Sequence, residues 1–111
     1  MPAQPPRAMR VVVLGGYGLI GHEVCRRLLA RGHRVVGVGR SAAHGRKILP
    51  QAEWRGVDIG TLSAPKDWAS LIEGADAVVN ASGALQDGLR DNLGAVQDRA
   101  IRALIEACEQ Q

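Results

Sequence analysis

Apolar runs and amphipathic stretches alternate along this chain. Val11 to Leu14 is an unbroken aliphatic run, and Arg34 to Gly39 (RVVGVG) reads as a second buried strand. Apolar residues on successive positions suit strands buried on both faces of a parallel sheet. A weaker third strand is expected over Ala52–Val57, and a fourth within ADAVVNAS, Ala75–Ser82. Between the strands the apolar period lengthens. Ile20, Val24, Cys25, Leu28 and Leu29 line one face of a helix that should end near Gly32. A short helix or turn is expected over Ala42–Leu49. SAPKDWASLIEG should form a helix with Pro65 in its first turn and Gly74 at its end. Leu89, Leu93, Val96, Ala100, Ile101, Leu104, Ile105 and Cys108 then lie on one face of a long helix, from near Arg90 to Glu109.

The order β-α-β-(short α)-β-α-β-α implies right-handed crossovers and an α/β, doubly wound parallel sheet with strand order 3-2-1-4. The length of 111 residues suits a single domain. It should occupy residues 10–111, behind a flexible tail over 1–9 whose MPAQPPRAM is proline-rich and lacks the apolar core of a signal peptide. Only 3% of the residues are aromatic and none is Phe, which predicts an aliphatic core.

The glycines change the picture from fold to function. GGYGLIG follows the first strand and opens the first helix, the context in which such a cluster is meaningful. It parses as Gly16-x-Gly18-x-x-Gly21 or as Gly15-x-x-Gly18-x-x-Gly21. The first glycine permits the tight turn out of the strand, the middle one lets backbone approach a pyrophosphate, and the last lets helix pack on strand. The helix then offers unpaired N–H groups and the positive end of its dipole to phosphates. The alternative is a turn of the same shape that has lost its ligand.

The end of the second strand selects the dinucleotide. NAD sites place an acidic residue there for the ribose hydroxyls, whereas Arg suits a 2′-phosphate. This chain has Arg40 and then Ser41, and no acidic residue between Glu23 and Glu53. Arg40 can fork onto a phosphate and Ser41 can donate a hydrogen bond, with His44, Arg46 and Lys47 nearby in sequence. NADP(H) is therefore favoured, with NAD(H) as the alternative.

Other chemistries find little support. The net charge is +3, and Arg26, Arg27, Arg31, Arg34, Arg40, Arg46 and Lys47 form no dense run, so no nucleic-acid footprint is expected. No segment approaches the roughly 18 apolar residues of a membrane span, and the cytoplasm is the expected compartment. Cys25 and Cys108 fall on apolar helix positions, where two buried free thiols are expected rather than a disulfide. His22, His33 and His44 are too dispersed for a metal site.

With GGYGLIG after the first strand, GR closing the second, VD at 57–58 and ADAVVNASG at 75–83, the chain resembles the extended or atypical short-chain dehydrogenase/reductases. That group includes NAD-dependent epimerase/dehydratase-like proteins. The chain is also similar to their complex I accessory-subunit and NmrA-like relatives, which bind NADP(H) with or without catalysis. The resemblance implies that Gly15, Gly16, Gly18 and Gly21 form the pyrophosphate turn, with Tyr17, Leu19 and Ile20 supplying backbone contacts. It implies that Arg40 and Ser41 meet the 2′-phosphate and that Asp58 and Ile59 meet the adenine ring. Asn80, Ala81 and Ser82 would lie along the cofactor at the end of the fourth strand. For Asp58, capping of the next turn is an equal alternative.

The chain departs from the family at the catalytic pair. These enzymes use Tyr-x-x-x-Lys, but the one tyrosine here is Tyr17, inside the turn, and Gly21 stands four residues later. Asp87, Asp91 and Asp98 read as loop and helix-surface charges. The expectation is the N-terminal cofactor portion of an oxidoreductase, inactive alone, with hydride transfer confined to a longer parent protein. A non-catalytic dinucleotide sensor or structural subunit is the alternative. A fourth strand lacking a fifth would leave an apolar edge, so self-association through it or through the last helix is expected.

Overall fold

A computed structural model describes residues 7–82 and 91–111, with side chains in the last helix described from residue 98 onward. The elements are β1 (Arg10–Leu14), α1 (Leu19–Ala30), β2 (Arg34–Gly39), α2 (Ala42–Ile48), β3 (Glu53–Gly56), α3 (Pro65–Ile72), β4 (Ala77–Asn80) and α4 (Asp91–Glu109). A 3-10 turn over Ile59–Thr61, absent from the sequence expectation, follows β3. The four strands are parallel and ordered β3-β2-β1-β4. The expected architecture is thus the observed one, with β3 and β4 trimmed at both ends.

The sheet buries two layers, and the alternation of side chains along the central strands assigns them. Val12, Leu14, Val36 and Val38 point to one face, where Trp68, Leu71 and Ile72 of α3 meet Ala100, Ala103, Leu104 and Ala107 of α4. Val11, Val13 and Val35 point to the other, with Cys25 of α1, Leu49, Ala52 and Trp54. The small Ala100, Ala103 and Ala107 sit on the layer that holds the indole of Trp68, which has no exposed surface and donates its N–H to the Leu62 carbonyl at 2.9 Å.

Two expectations need correction. The core is not purely aliphatic, because an indole stands in each layer. Trp54 fits because Gly37 of β2 and Gly45 of α2 lack side chains: a Cβ on either would overlap its ring. Its own N–H reaches the Leu49 carbonyl at 2.8 Å, so the indole is buried without a stranded donor. The second correction concerns Cys108, which is exposed, while Cys25 is fully buried as expected. The stripe Ala100, Ala103, Leu104, Ala107 leaves Cys108 on the flank of α4.

Of the expected tail, residues 1–6 lie outside the described residues, as do Asp87 and the side chains of Leu89, Asp91, Leu93 and Val96. Met9 is tied to the fold: its amide donates to His33 Nδ1 at 3.0 Å and its carbonyl accepts from Arg34. Among the described residues β4 pairs on one side only, with β1, and Ala77, Val78 and Val79 are half-buried. That open edge is the geometry on which the expected self-association rests.

Candidate functional site

In this parallel sheet of order 3-2-1-4, α1 and α4 pack on opposite faces, and in such sheets ligands sit outside the carboxyl ends of the strands where the order reverses. Every residue expected to meet the cofactor lies at that end of the sheet or in the first turn of α1. Gly15 has a positive φ of 73°, which favours glycine, and its amide and that of Gly16 both donate to the Val38 carbonyl at 2.9 and 3.1 Å. These bonds fold the chain across the top of β2. On its other side Gly15 presses on β4: an added Cβ would lie 3.0 Å from the Ala81 carbonyl oxygen and from Ser82 Cα.

The remaining glycines have different duties. A Cβ on Gly16 would lie 2.9 Å from the Trp54 ring, and one on Gly21 would overlap the Gly15 carbonyl oxygen. Both positions are small because the protein's own atoms fill the space. Gly18 is different. It is exposed, its φ of −72° and ψ of 175° suit any residue, and among the described residues the one close neighbour of an added Cβ would be the Gly15 oxygen at 3.3 Å.

Gly18 is also the N-cap of α1, where no side chain caps the helix and no acidic residue occupies the first turn. Among the described residues, no hydrogen bond uses the amides of Leu19, Ile20 or Gly21. A helix start with free donors and no balancing anion carries a partial positive charge. Leu19 is 80% exposed beside it, and Ile20 is 46% exposed. The other cations of the chain are partly spoken for. Glu23 holds Arg26 and Arg27 at 2.6 and 3.0 Å, and those bonds, Arg27's first, hold its carboxyl below the ordinary range. Glu53 holds Arg10 and Arg55, and Asp98 holds Arg102. Arg40, exposed at the end of β2, has no ion-pair partner among the described residues.

Ser41 caps α2, its hydroxyl oxygen accepting from the His44 amide at 3.1 Å. That role consumes an acceptor lone pair and leaves the hydroxyl proton available. Its backbone amide donates to the Tyr17 hydroxyl at 3.0 Å, a link that the sequence did not announce. Asp58 caps the 3-10 turn by accepting from Gly60 at 3.0 Å, and Ile59 packs toward the core layer of α3 and α4. Asn80 Oδ1 accepts from the amide and hydroxyl of Ser82, at 3.1 and 2.6 Å, which fixes the bend after β4. The structure thus joins the glycine turn to Ala81 and Ser82 and to Ser41. It gives Asp58 and Ile59 structural duties at the edge of the group.

Cys25 lies directly beneath the turn, its Sγ donating to the Gly16 carbonyl at 3.6 Å. Burial pushes its thiol from the ordinary 9.0 up to about 11. The neutral thiol therefore contributes stability that is complete below pH 9 and is lost as pH rises through about 11. Iodoacetamide at pH 8 is expected to modify Cys108 alone in the native chain, and both thiols after denaturation. Mass spectrometry of native protein carrying a label on Cys25 would refute this arrangement.

Among the described residues no group of three or more His, Cys, Asp or Glu side chains could hold a metal ion. No helix among them is long and apolar enough to cross a membrane.

Residues 15–111 match the model of an NAD(P)H-binding family. The chain belongs to that family. Among curated proteins it is 36% identical over 75 residues to the Photosystem II assembly factor Ycf39 of Synechocystis sp., covering 67% of this chain and 22% of that protein. It is 33% identical over 70 residues to a 2-alkyl-3-oxoalkanoate reductase of Stenotrophomonas maltophilia, covering 63% and 20%. Among solved structures, the Bordetella bronchiseptica enzyme WbmG in complex with NAD superposes with a TM-score of 0.74 at 17% identity, over 94% of this chain and 34% of that one. A UDP-N-acetylglucosamine 4-epimerase from Bacillus cereus gives 0.71 at 19%, over 93% and 34%. The family's fold is therefore this fold, and the chain spans a fifth to a third of the length of these relatives.

Proposed function

We propose that this chain binds a nicotinamide dinucleotide across the carboxyl edge of its sheet, in the orientation set by the glycine turn, and prefers NADP(H) to NAD(H). Gly18 carries the reading. Its backbone angles do not demand a glycine, and among the described residues an added Cβ would crowd the Gly15 oxygen alone, at 3.3 Å, so the glycine is best explained by a group that must approach the backbone. The uncapped start of α1 suits a pyrophosphate in that space, with the free amides of Leu19, Ile20 and Gly21 as donors. Arg40 and the Ser41 hydroxyl suit the adenosine 2′-phosphate, and Asn80 to Ser82 line the path from the turn toward the nicotinamide end. Asp58 and Ile59 border the adenine side.

The dinucleotide supplies hydride transfer, and the protein supplies position. In this reading residues 10–111 are the cofactor portion of an epimerase/dehydratase-like oxidoreductase. The general acid and the substrate pocket belong to a longer parent protein. A non-catalytic, dinucleotide-binding role is the second reading, favoured by the lack of any Tyr-x-x-x-Lys in the 111 residues.

Titration of the chain with NADPH and NADH, followed by nicotinamide fluorescence, tests the reading. NADPH is expected to bind more tightly. Arg40→Ala should weaken NADPH about tenfold, equivalent to about 1.4 kcal/mol, and leave NADH within about twofold. Tighter binding of NADH by the unaltered chain would refute the preference, and binding of neither would refute the cofactor reading.

A further inference from the structure

The sequence places Tyr17 between the glycines, where only its backbone is expected to meet the cofactor, yet its side chain has contacts of its own. It folds back over β2. The ring is half-buried and lies across Gly39, where any Cβ would overlap it. It meets the His44 ring edge-on at a centroid distance of 4.7 Å and 82°, and tilts against Trp54 at 5.9 Å. Its hydroxyl accepts the Ser41 amide at 3.0 Å. One side chain therefore touches the end of β2, the start of α2 and the aromatic core beneath them, while its backbone belongs to the first turn.

From this we infer that Tyr17 is a positioning residue for cofactor preference, locking the Arg40–Ser41 corner to the glycine turn. The inference rests on the dinucleotide reading and adds to it the device that holds the two phosphate-facing groups in register. Ser41 is anchored twice, its amide by Tyr17 and its hydroxyl oxygen by the His44 amide. The hydroxyl of Ser41 consequently keeps one proton to offer from an anchored oxygen, one residue after the exposed Arg40. The Tyr17 hydroxyl, already accepting, likewise retains its own proton among the described residues. Two anchored hydroxyls with protons to donate and a guanidinium suit a dianionic phosphomonoester and include no acidic partner for a bare ribose diol. Gly39 gains a reason that strand propensity does not give it: it is the floor on which the phenol ring lies.

Tyr17→Phe keeps the ring and removes only the link. The ratio of NADPH to NADH affinity is expected to fall by about three- to tenfold, the loss of one hydrogen bond, with NADH affinity little changed. In the free protein, amide exchange at Ser41 should accelerate about tenfold while the amides of Val11–Leu14 keep their protection. Tyr17→Met, which fills the same apolar space without a hydroxyl, is carried in parallel and should lower the ratio in the same direction. A general loosening of the turn would weaken both nucleotides equally, and that result overturns the inference. An unchanged ratio in Tyr17→Phe, with the unaltered chain binding normally, overturns it alone and leaves the cofactor reading standing. Binding of neither nucleotide by the unaltered chain overturns both, whatever the exchange at Ser41.

Discussion

Gly21→Ala is expected to lower the thermal midpoint of this domain by about 10–20 °C, following a loss of about 3 kcal/mol or more. Two effects oppose each other at this position. Gly21 lies in the first turn of α1, and alanine is the better helix former by about 1 kcal/mol, so propensity alone predicts stabilisation. Packing reverses the sign. The new Cβ would overlap the Gly15 carbonyl oxygen and crowd the Gly15 carbonyl carbon and Gly16 Cα, all of them backbone. A flexible side chain could swing away, but this backbone is pinned by the bonds of Gly15 and Gly16 to Val38 and of Gly18 to the Gly15 carbonyl. Relief therefore requires α1 to lift from β1, which opens the layer holding Val11, Val13 and Cys25. Thermal unfolding by circular dichroism measures the effect, and a midpoint unchanged or raised would show that the turn yields more easily than its hydrogen bonds imply. A loss of this size is a large fraction of the roughly 5–15 kcal/mol that holds a domain of this kind together.

The strands and the glycine turn were legible in the sequence because their causes are local. Continuous aliphatic runs mark β1 and β2, and the switch of period marks α1, so element order and strand order follow from spacing and crossover rules. What was not legible depends on contacts across the fold. GGYGLIG does not say which glycine packing demands and which it leaves to the proposed ligand, because the occupant of each missing Cβ comes from elsewhere. It is Trp54 for Gly16 and, among the described residues, the Gly15 oxygen alone for Gly18. Tyr17 reaches Ser41 over 24 residues of sequence, and Gly37 and Gly45 make room for an indole from β3. The helical spacing that groups Ala100, Ala103, Leu104 and Ala107 also admits Cys108 to the same face. The position of α3 leaves it at the rim. Asp58 shows the limit of a motif: the same carboxylate suits an adenine contact or a cap, and the bond to Gly60 identifies the second without excluding the first.

Gly18→Val should have the opposite profile from Gly21→Ala: nearly normal folding and loss of nucleotide binding. The protein accommodates this side chain far better than one at Gly21, because the residue is exposed, its angles are those of extended backbone, and among the described residues the new Cβ crowds the Gly15 oxygen alone, at 3.3 Å, where a shift of a few tenths of an ångström relieves it. Losing glycine at the N-cap costs about 1 kcal/mol or less, a shift of a few degrees. The ligand does not tolerate it. A branched side chain at this point would project into the space above the free amides of Leu19, Ile20 and Gly21, holding a pyrophosphate away from donors that act only at hydrogen-bond distance. NADPH and NADH are expected to weaken together by about a hundredfold or more, about 2.7 kcal/mol. The effect should not discriminate between them, because the pyrophosphate is common to both and the corner at Arg40 proposed for the 2′-phosphate is left intact. That equality separates Gly18 from Arg40 and Tyr17, whose substitutions should change the ratio. Calorimetric titration of Gly18→Val, with its unfolding midpoint measured alongside, decides the matter. Full affinity in a folded Gly18→Val would mean that the open space over this glycine is not where a dinucleotide lies.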